Sequence, residues 1–263
     1  GLDSGVKASA WCQANGILNG AEYLMCWVSA LFQEPTEPLP YLFFFGPQNS
    51  GKSIFHEALR LLLTKGVADG SAAITSDGGF NYELEGAIIC YIEEIDLRRD
   101  KAAYNRIKDW VTSRELLIHP KRETPYHIRN TTHWIQCSNE AQACPVSIGD
   151  TRITVCFVDS LPVTQLIPKR EMIIRLEKEA PNFLHHVLNI DLPNSNDRLG
   201  LPIIETSEKS VLQNFNQDEL EMFINDNCEN RPGHQLKFSV FYDRFIDTVQ
   251  EGEKHKWTKQ GVA

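Results

Sequence analysis

The chain has 263 residues, of which 42% are hydrophobic and 23% are charged, and this balance excludes a disordered or fibrous protein. Its longest apolar runs fall far short of the roughly 20 residues that cross a bilayer, and it lacks a basic-then-apolar leader, so we expect an intracellular protein without a membrane partner. The formal net charge of −9 argues against a surface coated in nucleic acid, so any such contact must be local.

Apolar periodicity predicts helices and strands in alternation. In chain order we expect a helix over 8–33, a strand over 41–45, a helix over 53–64, a strand over 87–93, a helix over 101–113 and strands over 132–137 and 154–158. Strands that alternate with helices predict a parallel sheet that is covered on both faces.

Two further stretches have patterns of their own. Residues 116–130 carry two short apolar arms around a polar tip, which predicts a β-hairpin. From residue 169 the pattern turns mostly helical, and the last segment predicts two amphipathic helices, over 210–230 and 236–250.

The segment GPQNSGKS, residues 46–53, stands between an apolar strand and an amphipathic helix. It matches G-x-x-x-x-G-K-[ST], in which glycines let backbone amides curl around phosphate oxygens, the lysine neutralises the β- and γ-phosphates, and the serine hydroxyl binds Mg²⁺. We therefore predict a site for a nucleoside triphosphate, and a glycine turn without a ligand is the alternative. The residues predicted to bind the nucleotide are Gly46, Pro47, Gln48, Asn49, Ser50, Gly51, Lys52, Ser53 and Ile54.

Acidic residues end the buried strand over 87–93. Glu93 is expected to hold Mg²⁺ together with Ser53, and Glu94 to polarise a water that attacks the γ-phosphate, with Asp96 as a spare candidate. Which of the two glutamates takes which role stays open, and so does the alternative that the pair only marks a solvated strand end. Asn139 ends the next apolar strand, where its amide could hydrogen-bond the water or the γ-phosphate.

The order of these motifs, followed by the segment GDTRITVCFVD (149–159), resembles the superfamily 3 helicases of the AAA+ ATPases. The chain is most similar to the phage, plasmid and poxvirus type primase-helicases, over about residues 40–160. The resemblance implies a P-loop, three-layer α/β/α fold of the AAA+ class, with a mostly helical N-terminal segment and a helical or winged-helix-like C-terminal segment. It divides the chain into an N-terminal segment 1–36, an ATPase core 37–165, a helical extension 166–205 and a C-terminal domain 206–263.

The resemblance also implies functional roles. Arg152 matches the arginine finger that reaches into the nucleotide of a neighbouring subunit, and His119, Lys121 and Arg122 match a hairpin tip that grips DNA. The alternatives without a functional role are a surface salt bridge for Arg152 and a solvated basic turn for the tip. The implied protein is a DNA helicase of phage-like replication, a hexameric ring that hydrolyses ATP with Mg²⁺ and moves on single-stranded DNA. A primase or polymerase domain would then lie outside this chain, and the protein would act in the cytoplasm or the host cell, or in the nucleus for a virus that replicates there.

Two other classes of protein stay open. One is an AAA+ ATPase that does not unwind DNA, such as a helicase loader or a regulatory switch. The other is a kinase built on the same loop, for which DLRRD over 96–100 offers the arginines of a lid. Stimulation of hydrolysis by single-stranded DNA would separate a motor from a kinase.

Overall fold

A computed structural model of the protein describes residues 1–98, 100–195, 197–217 and 219–263. The strands in these ranges are β1 (Tyr41–Phe45), β2 (Val67–Asp69), β3 (Ile89–Glu93), β4 (Glu115–Ile118), β5 (Tyr126–Arg129), β6 (His133–Ser138) and β7 (Ile153–Phe157). The helices are α1 (Leu2–Ala8), α2 (Ala10–Ala14), α3 (Gly20–Gln33), α4 (Ile54–Leu63), α5 (Ser71–Thr75), α6 (Lys101–Trp110), α7 (Lys169–Leu188), α8 (Ser207–Phe215), α9 (Glu219–Asn227), α10 (Phe238–Thr248) and α11 (Lys259–Val262). Among these helices, none is long and apolar enough to cross a membrane.

Five parallel strands form the main sheet, in the order β2, β3, β6, β1, β7. β1 lies between β6 and β7, and both β1 and β6 are buried along almost their whole length. The sequence of β1, YLFFF, is the continuous apolar run that a strand covered on both faces requires. The fold is thus mixed α/β with a parallel sheet.

Two apolar clusters cover the two faces of the sheet. Successive side chains of a strand point to opposite faces, so β1 contributes to both clusters. Leu42 and Phe44 belong to a cluster that includes Trp27 of α3 and also residues of α4 and α7. Tyr41 and Phe43 belong to the other cluster, with residues of α5, α6 and the β4–β5 hairpin.

The prediction of a single helix over 8–33 is wrong, because the chain breaks twice within that span. Ser9 and Asn19 each accept a hydrogen bond from the backbone N–H three residues further on, and so cap the starts of α2 and α3. Between these helices Gly16 has a φ of +71°, which ends the helical path. The apolar stripe continues across the breaks because all three helices belong to the same cluster.

The other predicted strands and helices of the sheet region agree with the structure to within a few residues. The hairpin is confirmed, with β4 and β5 antiparallel from the pair Glu115 and Arg129 to the pair Ile118 and Tyr126. β2 was missed because its three residues are too few to show a period. The predicted helix over 210–230 is interrupted, since α8 ends at residue 215 and α9 begins at residue 219.

The chain divides into two compact units, residues 1–213 and 214–263. The second unit has a small apolar cluster around Phe223, Phe245 and Val249, with Trp257 edge-on to Phe245 at 5.1 Å between ring centroids. A winged helix needs a β-hairpin as its wing, and the described residues of this unit form helices and turns without a strand. The winged-helix-like part of the fold prediction is therefore wrong, while the segment boundaries at 36, 165 and 205 stay predictions.

Gly46→Ala is expected to destabilise the protein more than Gly16→Ala does. Both glycines have positive φ, +152° and +71°, but a Cβ at Gly46 would lie 2.0 Å from the carbonyl oxygen of Val158, whereas a Cβ at Gly16 would meet nothing within 4 Å. We expect Gly16→Ala to lower the free energy of unfolding by about 1–2 kcal/mol and Gly46→Ala by about 3 kcal/mol or more. Urea denaturation measures both, and equal losses would contradict the close approach of Gly46 to the end of β7.

Candidate functional site

A glycine-framed loop, residues 46–53, joins the end of β1 to the start of α4. Its backbone has positive φ at three positions, +152° at Gly46, +63° at Asn49 and +88° at Gly51. Within the described ranges, the backbone N–H groups of Asn49, Gly51 and Lys52 donate to no protein acceptor. Successive free N–H groups in a turn that mixes positive and negative φ form a concave surface that can bind an anion.

The Lys52 side chain is buried, and oxygen acceptors surround its ammonium group. Nζ contacts the carbonyl oxygens of Gly46 at 3.0 Å and Pro47 at 2.8 Å, Oγ of Ser50 at 3.3 Å and Oδ1 of Asn139 at 3.0 Å. An ammonium group has three protons, so these four contacts share them. The positive charge is therefore held among the loop's own oxygens and the amide that follows β6.

Asn139 joins Lys52 to Glu94. While Oδ1 of Asn139 accepts from Lys52, its Nδ2 donates to Oε1 of Glu94 at 3.2 Å. Glu94 has a φ of +56°, an uncommon conformation for a residue other than glycine. Its N–H donates to the carbonyl oxygen of Cys137 on β6 at 3.2 Å, which ties this turn to the sheet. The structure thus brings three of the predicted catalytic residues into one hydrogen-bonded chain.

Glu93 is the last residue of β3, and its Oε1 lies 3.0 Å from Nε2 of His56 on α4. Burial tends to raise the pKa of this carboxyl group, but hydrogen bonding with Ser53 and His56, together with the positive charge of Lys169, outweighs burial and holds the pKa below its ordinary value. Glu93 is therefore an anion at neutral pH, and the Ser53 hydroxyl is its neighbour.

Ser53 and Glu93 supply oxygen ligands of the kind that Mg²⁺ prefers. The described residues contain no cluster of three or more His, Cys, Asp or Glu that could hold a metal ion by themselves. Protein sites hold Mg²⁺ through one or two carboxylates together with the phosphates of a substrate, so one hydroxyl and one carboxylate beside the glycine-framed loop fit that ion. A closed structural metal site does not fit this set of donors.

Sequence reasoning missed His56. Residues three apart share one face of a helix, and His56 follows Ser53 at that spacing in the first turn of α4. This spacing, together with the acid at the end of the neighbouring strand, was the signal that could have found the contact with Glu93.

The remaining predicted residues of this region have plainer surroundings. Pro47 and Gln48 are exposed on the loop, and Ile54 is the first residue of α4. The spare acid Asp96 forms an ion pair with Arg98, with 2.6 Å between Oδ2 and the guanidinium nitrogen. Arg99, which the kinase alternative would use, lies outside the described residues.

Arg152 and the base of the hairpin lie at the opposite edge of the sheet. The carbonyl oxygen of Arg152 accepts from the N–H of Tyr41, the first residue of β1, and its Nε donates to the carbonyl oxygen of Lys108 at 3.0 Å. The hairpin meets the same edge, because β5 leads directly into the start of β6. The strand β1, Tyr41–Phe45, separates this edge from the loop. At about 3.3 Å per residue, its two ends are about 13 Å apart. Within one chain, neither group meets Lys52.

Basic groups at the hairpin tip surround an aromatic ring. Lys121 and Arg122 are exposed, and Nζ of Lys121 lies 5.7 Å from the centroid of the Phe80 ring. The ring of His119 is 5.0 Å from the same ring, and the His119 N–H donates to Oδ1 of Asn81 at 2.7 Å. The tip is therefore anchored on one side while its two cations face solvent.

The lowered pKa of Glu93 predicts a pH-dependent contribution to stability. A carboxyl group whose pKa falls on folding stabilises the folded state above its unfolded pKa, and this contribution is lost as the pH falls through the lower folded pKa. The loss of unfolding free energy caused by Glu93→Gln should therefore be present at neutral pH and shrink below pH 4.5, the ordinary pKa of the group. Solvent screens the effect, since 38% of the side chain is exposed. Urea denaturation of both proteins from about pH 3 to about pH 7 measures it, and a difference that is constant with pH would contradict it.

Comparison with known proteins gives relatives for most of the chain. A model of a family of unknown function, DUF5906, matches residues 44–152. The DNA primase-polymerase of Nitratiruptor phage NrS-1 is 21% identical over 215 residues, which cover 77% of this chain and 30% of that protein. An apo structure of the NrS-1 C-terminal region has a TM-score of 0.66 at 19% identity, covering 89% of this chain and 54% of that one. Its A form has a TM-score of 0.66 at 17% identity, covering 100% and 63%.

These findings overturn the resemblance to the superfamily 3 helicases. The relatives are a domain of unknown function and a protein named as a DNA primase-polymerase, so the identification as an AAA+ helicase is wrong. The assignment to the P-loop AAA+ fold class and the function of an ATP-driven DNA helicase are wrong with it. The physical reason is that the edge of any parallel α/β sheet offers the same places for a glycine loop, acids and an amide. What stands is a mixed α/β fold similar to that of the NrS-1 C-terminal region.

Proposed function

We propose that this chain is a nucleotide-binding part of a replication enzyme of the DNA primase-polymerase kind. The observation that carries the proposal is the grouping of Lys52, Ser53 and Glu93 at the glycine-framed loop, in a chain similar to the NrS-1 primase-polymerase. The chain spans 30% of that relative, so the enzymatic activity is part of the proposal. In this proposal the predicted ATP is widened to a nucleoside triphosphate and the predicted Mg²⁺ to a divalent cation. Nucleoside triphosphates are the substrates of any primase or polymerase.

Binding of the triphosphate would change the partners of Lys52. Its ammonium group exchanges the carbonyl oxygens of Gly46 and Pro47 for phosphate oxygens, which form stronger, charge-assisted hydrogen bonds. The loop N–H groups and the amino-terminal end of α4 add further donors. Ser53 and Glu93 would hold Mg²⁺, whose charge would offset part of the negative charge of the triphosphate.

Lys52→Ala is expected to weaken binding of a nucleoside triphosphate by about 10- to 100-fold, because a hydrogen bond to a charged group contributes about 1.5–3 kcal/mol. Lys65→Ala removes an exposed lysine outside the loop and is the matched control. Titration with the fluorescent analogues mant-ATP and mant-dATP in the presence of Mg²⁺ measures both variants. A wild-type protein that binds neither analogue, or a Lys52→Ala variant that binds as tightly as wild type, would contradict the proposal.

The same variants test the enzymatic part of the proposal. We expect the protein to incorporate labelled nucleotide on a single-stranded DNA template, and Lys52→Ala to incorporate less while Lys65→Ala matches wild type. Nucleotide binding without any incorporation would contradict the enzymatic part and leave the binding site in place.

Single-stranded DNA is the proposed partner of the hairpin tip. The exposed cations Lys121 and Arg122 can contact phosphates, and the ring of Phe80 beside them offers a surface on which a base can stack. The acidic chain thus has a local basic surface for nucleic acid, and an intracellular site of action is part of this proposal. The ring assembly and the movement along DNA depended on the helicase resemblance and are not carried forward.

The double variant Lys121→Ala/Arg122→Ala is expected to weaken binding of single-stranded DNA and to reduce its salt dependence. Each lost phosphate contact lowers the slope of log K against log salt by about 0.7, so two contacts give about 1.4. Arg170→Ala/Lys178→Ala removes two exposed cations from α7 and is the matched control. Fluorescence anisotropy of a labelled oligonucleotide at several salt concentrations measures both pairs. If the two double variants behave alike, the hairpin tip is not the DNA contact.

A further inference from the structure

His56 is buried beside the proposed cation site but was not among the residues assigned to it. Its side chain is 4% exposed, and Nε2 lies 3.0 Å from Oε1 of Glu93. A buried histidine on an apolar helix face often fills space only. Two features of its surroundings give this one a more specific role.

The first feature is that packing fixes the plane of the imidazole ring. His56 stacks on Tyr91 with 4.5 Å between centroids and 4° between planes. Tyr91 and Glu93 are two residues apart on β3 and so face the same side of the sheet. The guanidinium carbon of Arg60 lies 5.3 Å from the centroid of the Tyr91 ring. The imidazole edge is thus aimed at the Glu93 carboxylate by the strand that also carries that carboxylate.

The second feature determines which nitrogen carries the proton. Nδ1 of His56 is buried and has no hydrogen-bond partner among the described residues. A proton on Nδ1 would be a buried donor without an acceptor, and Nε2 would then point a lone pair at the carboxylate. The tautomer with the proton on Nε2 avoids both penalties. In this tautomer Nε2–H donates to Oε1 of Glu93.

We infer that His56 is a positioning residue for the divalent cation, because its hydrogen bond fixes the rotation of the Glu93 carboxylate beside Ser53. This inference rests on the proposed nucleotide site. Carboxylates that bind metals are commonly held by a further hydrogen bond, and its loss typically weakens metal binding by about 10- to 100-fold. Glu93 is 38% exposed, so without His56 its carboxylate can rotate toward solvent.

The test compares His56→Leu with His56→Gln. Leucine keeps apolar volume and removes the donor, whereas the side-chain amide of glutamine can still donate to Glu93. Mn²⁺ is titrated into each protein with a saturating, non-hydrolysable triphosphate, and bound Mn²⁺ is followed by electron paramagnetic resonance. We expect His56→Leu to weaken Mn²⁺ binding by about 10- to 100-fold and His56→Gln to retain most of it. Triphosphate affinity without metal should be equal in all three proteins.

A double-mutant cycle with Glu93→Gln separates positioning from packing. If His56 acts through Glu93, His56→Leu has no further effect on Mn²⁺ affinity once Glu93 is glutamine. In the metal-free wild-type protein, nitrogen NMR of labelled histidine should show the proton of His56 on Nε2, and this measurement does not depend on any variant folding.

Each other outcome overturns the inference. His56 is only a packing residue if His56→Leu binds Mn²⁺ as tightly as wild type does. The same conclusion follows if His56→Leu causes an equal loss of Mn²⁺ affinity in the Glu93→Gln background, or if the proton of His56 is on Nδ1. In those cases wild-type protein still binds the triphosphate, and the proposed function stands. Wild-type protein that binds no triphosphate overturns both.

Discussion

The parallel pairing of β3, β6 and β1 is the constraint on which the candidate site depends. Cys137 of β6 stands opposite both Phe44 of β1 and Glu93 of β3, so the three strands end at the same level. Strands buried on both faces cannot slip by one residue without turning each side chain to the other face. The turn after each strand therefore begins at a fixed place, and the glycine loop, the acids and Asn139 meet at one edge.

The two strand-end acids have different partners, which separates roles that the sequence left open. Glu93 interacts with Ser53 and His56, while the exposed Glu94 is linked through Asn139 to Lys52. Cys137 is buried close to both acids. Burial, with a smaller effect of Glu93, raises the pKa of its thiol to about 12, so it remains a neutral, apolar part of the site at neutral pH. The two acids thus have different immediate partners, Ser53 and His56 at the start of α4 for Glu93 and the amide that follows β6 for Glu94.

The mistaken family identification shows that an ordered set of motifs can predict local geometry without identifying the family. The glycine loop, the paired acids and the asparagine were each found at the positions where the sequence put them, yet the relatives are a DUF5906 domain and a primase-polymerase. Such residues are typical of the local geometry where a loop connects a strand to a helix, and many α/β proteins share that geometry. Arg152 shows what local motifs cannot predict. It lies at the other end of β1, about 13 Å from the loop, and its neighbours in the chain do not indicate that position.

The sequence by itself determined the elements whose signal is local. The apolar run of β1, the hairpin with its polar tip and the glycine-framed loop depend on side-chain period and backbone freedom, which neighbouring residues set. It did not reveal the helix breaks at Ser9 and Asn19, because the apolar stripe runs across them. Only the tertiary structure decided that His56 meets Glu93, that Asn139 joins Lys52 to Glu94, and that Arg152 lies at the far edge. These contacts join residues far apart in the chain, and strand order and register, which no local pattern encodes, bring them together.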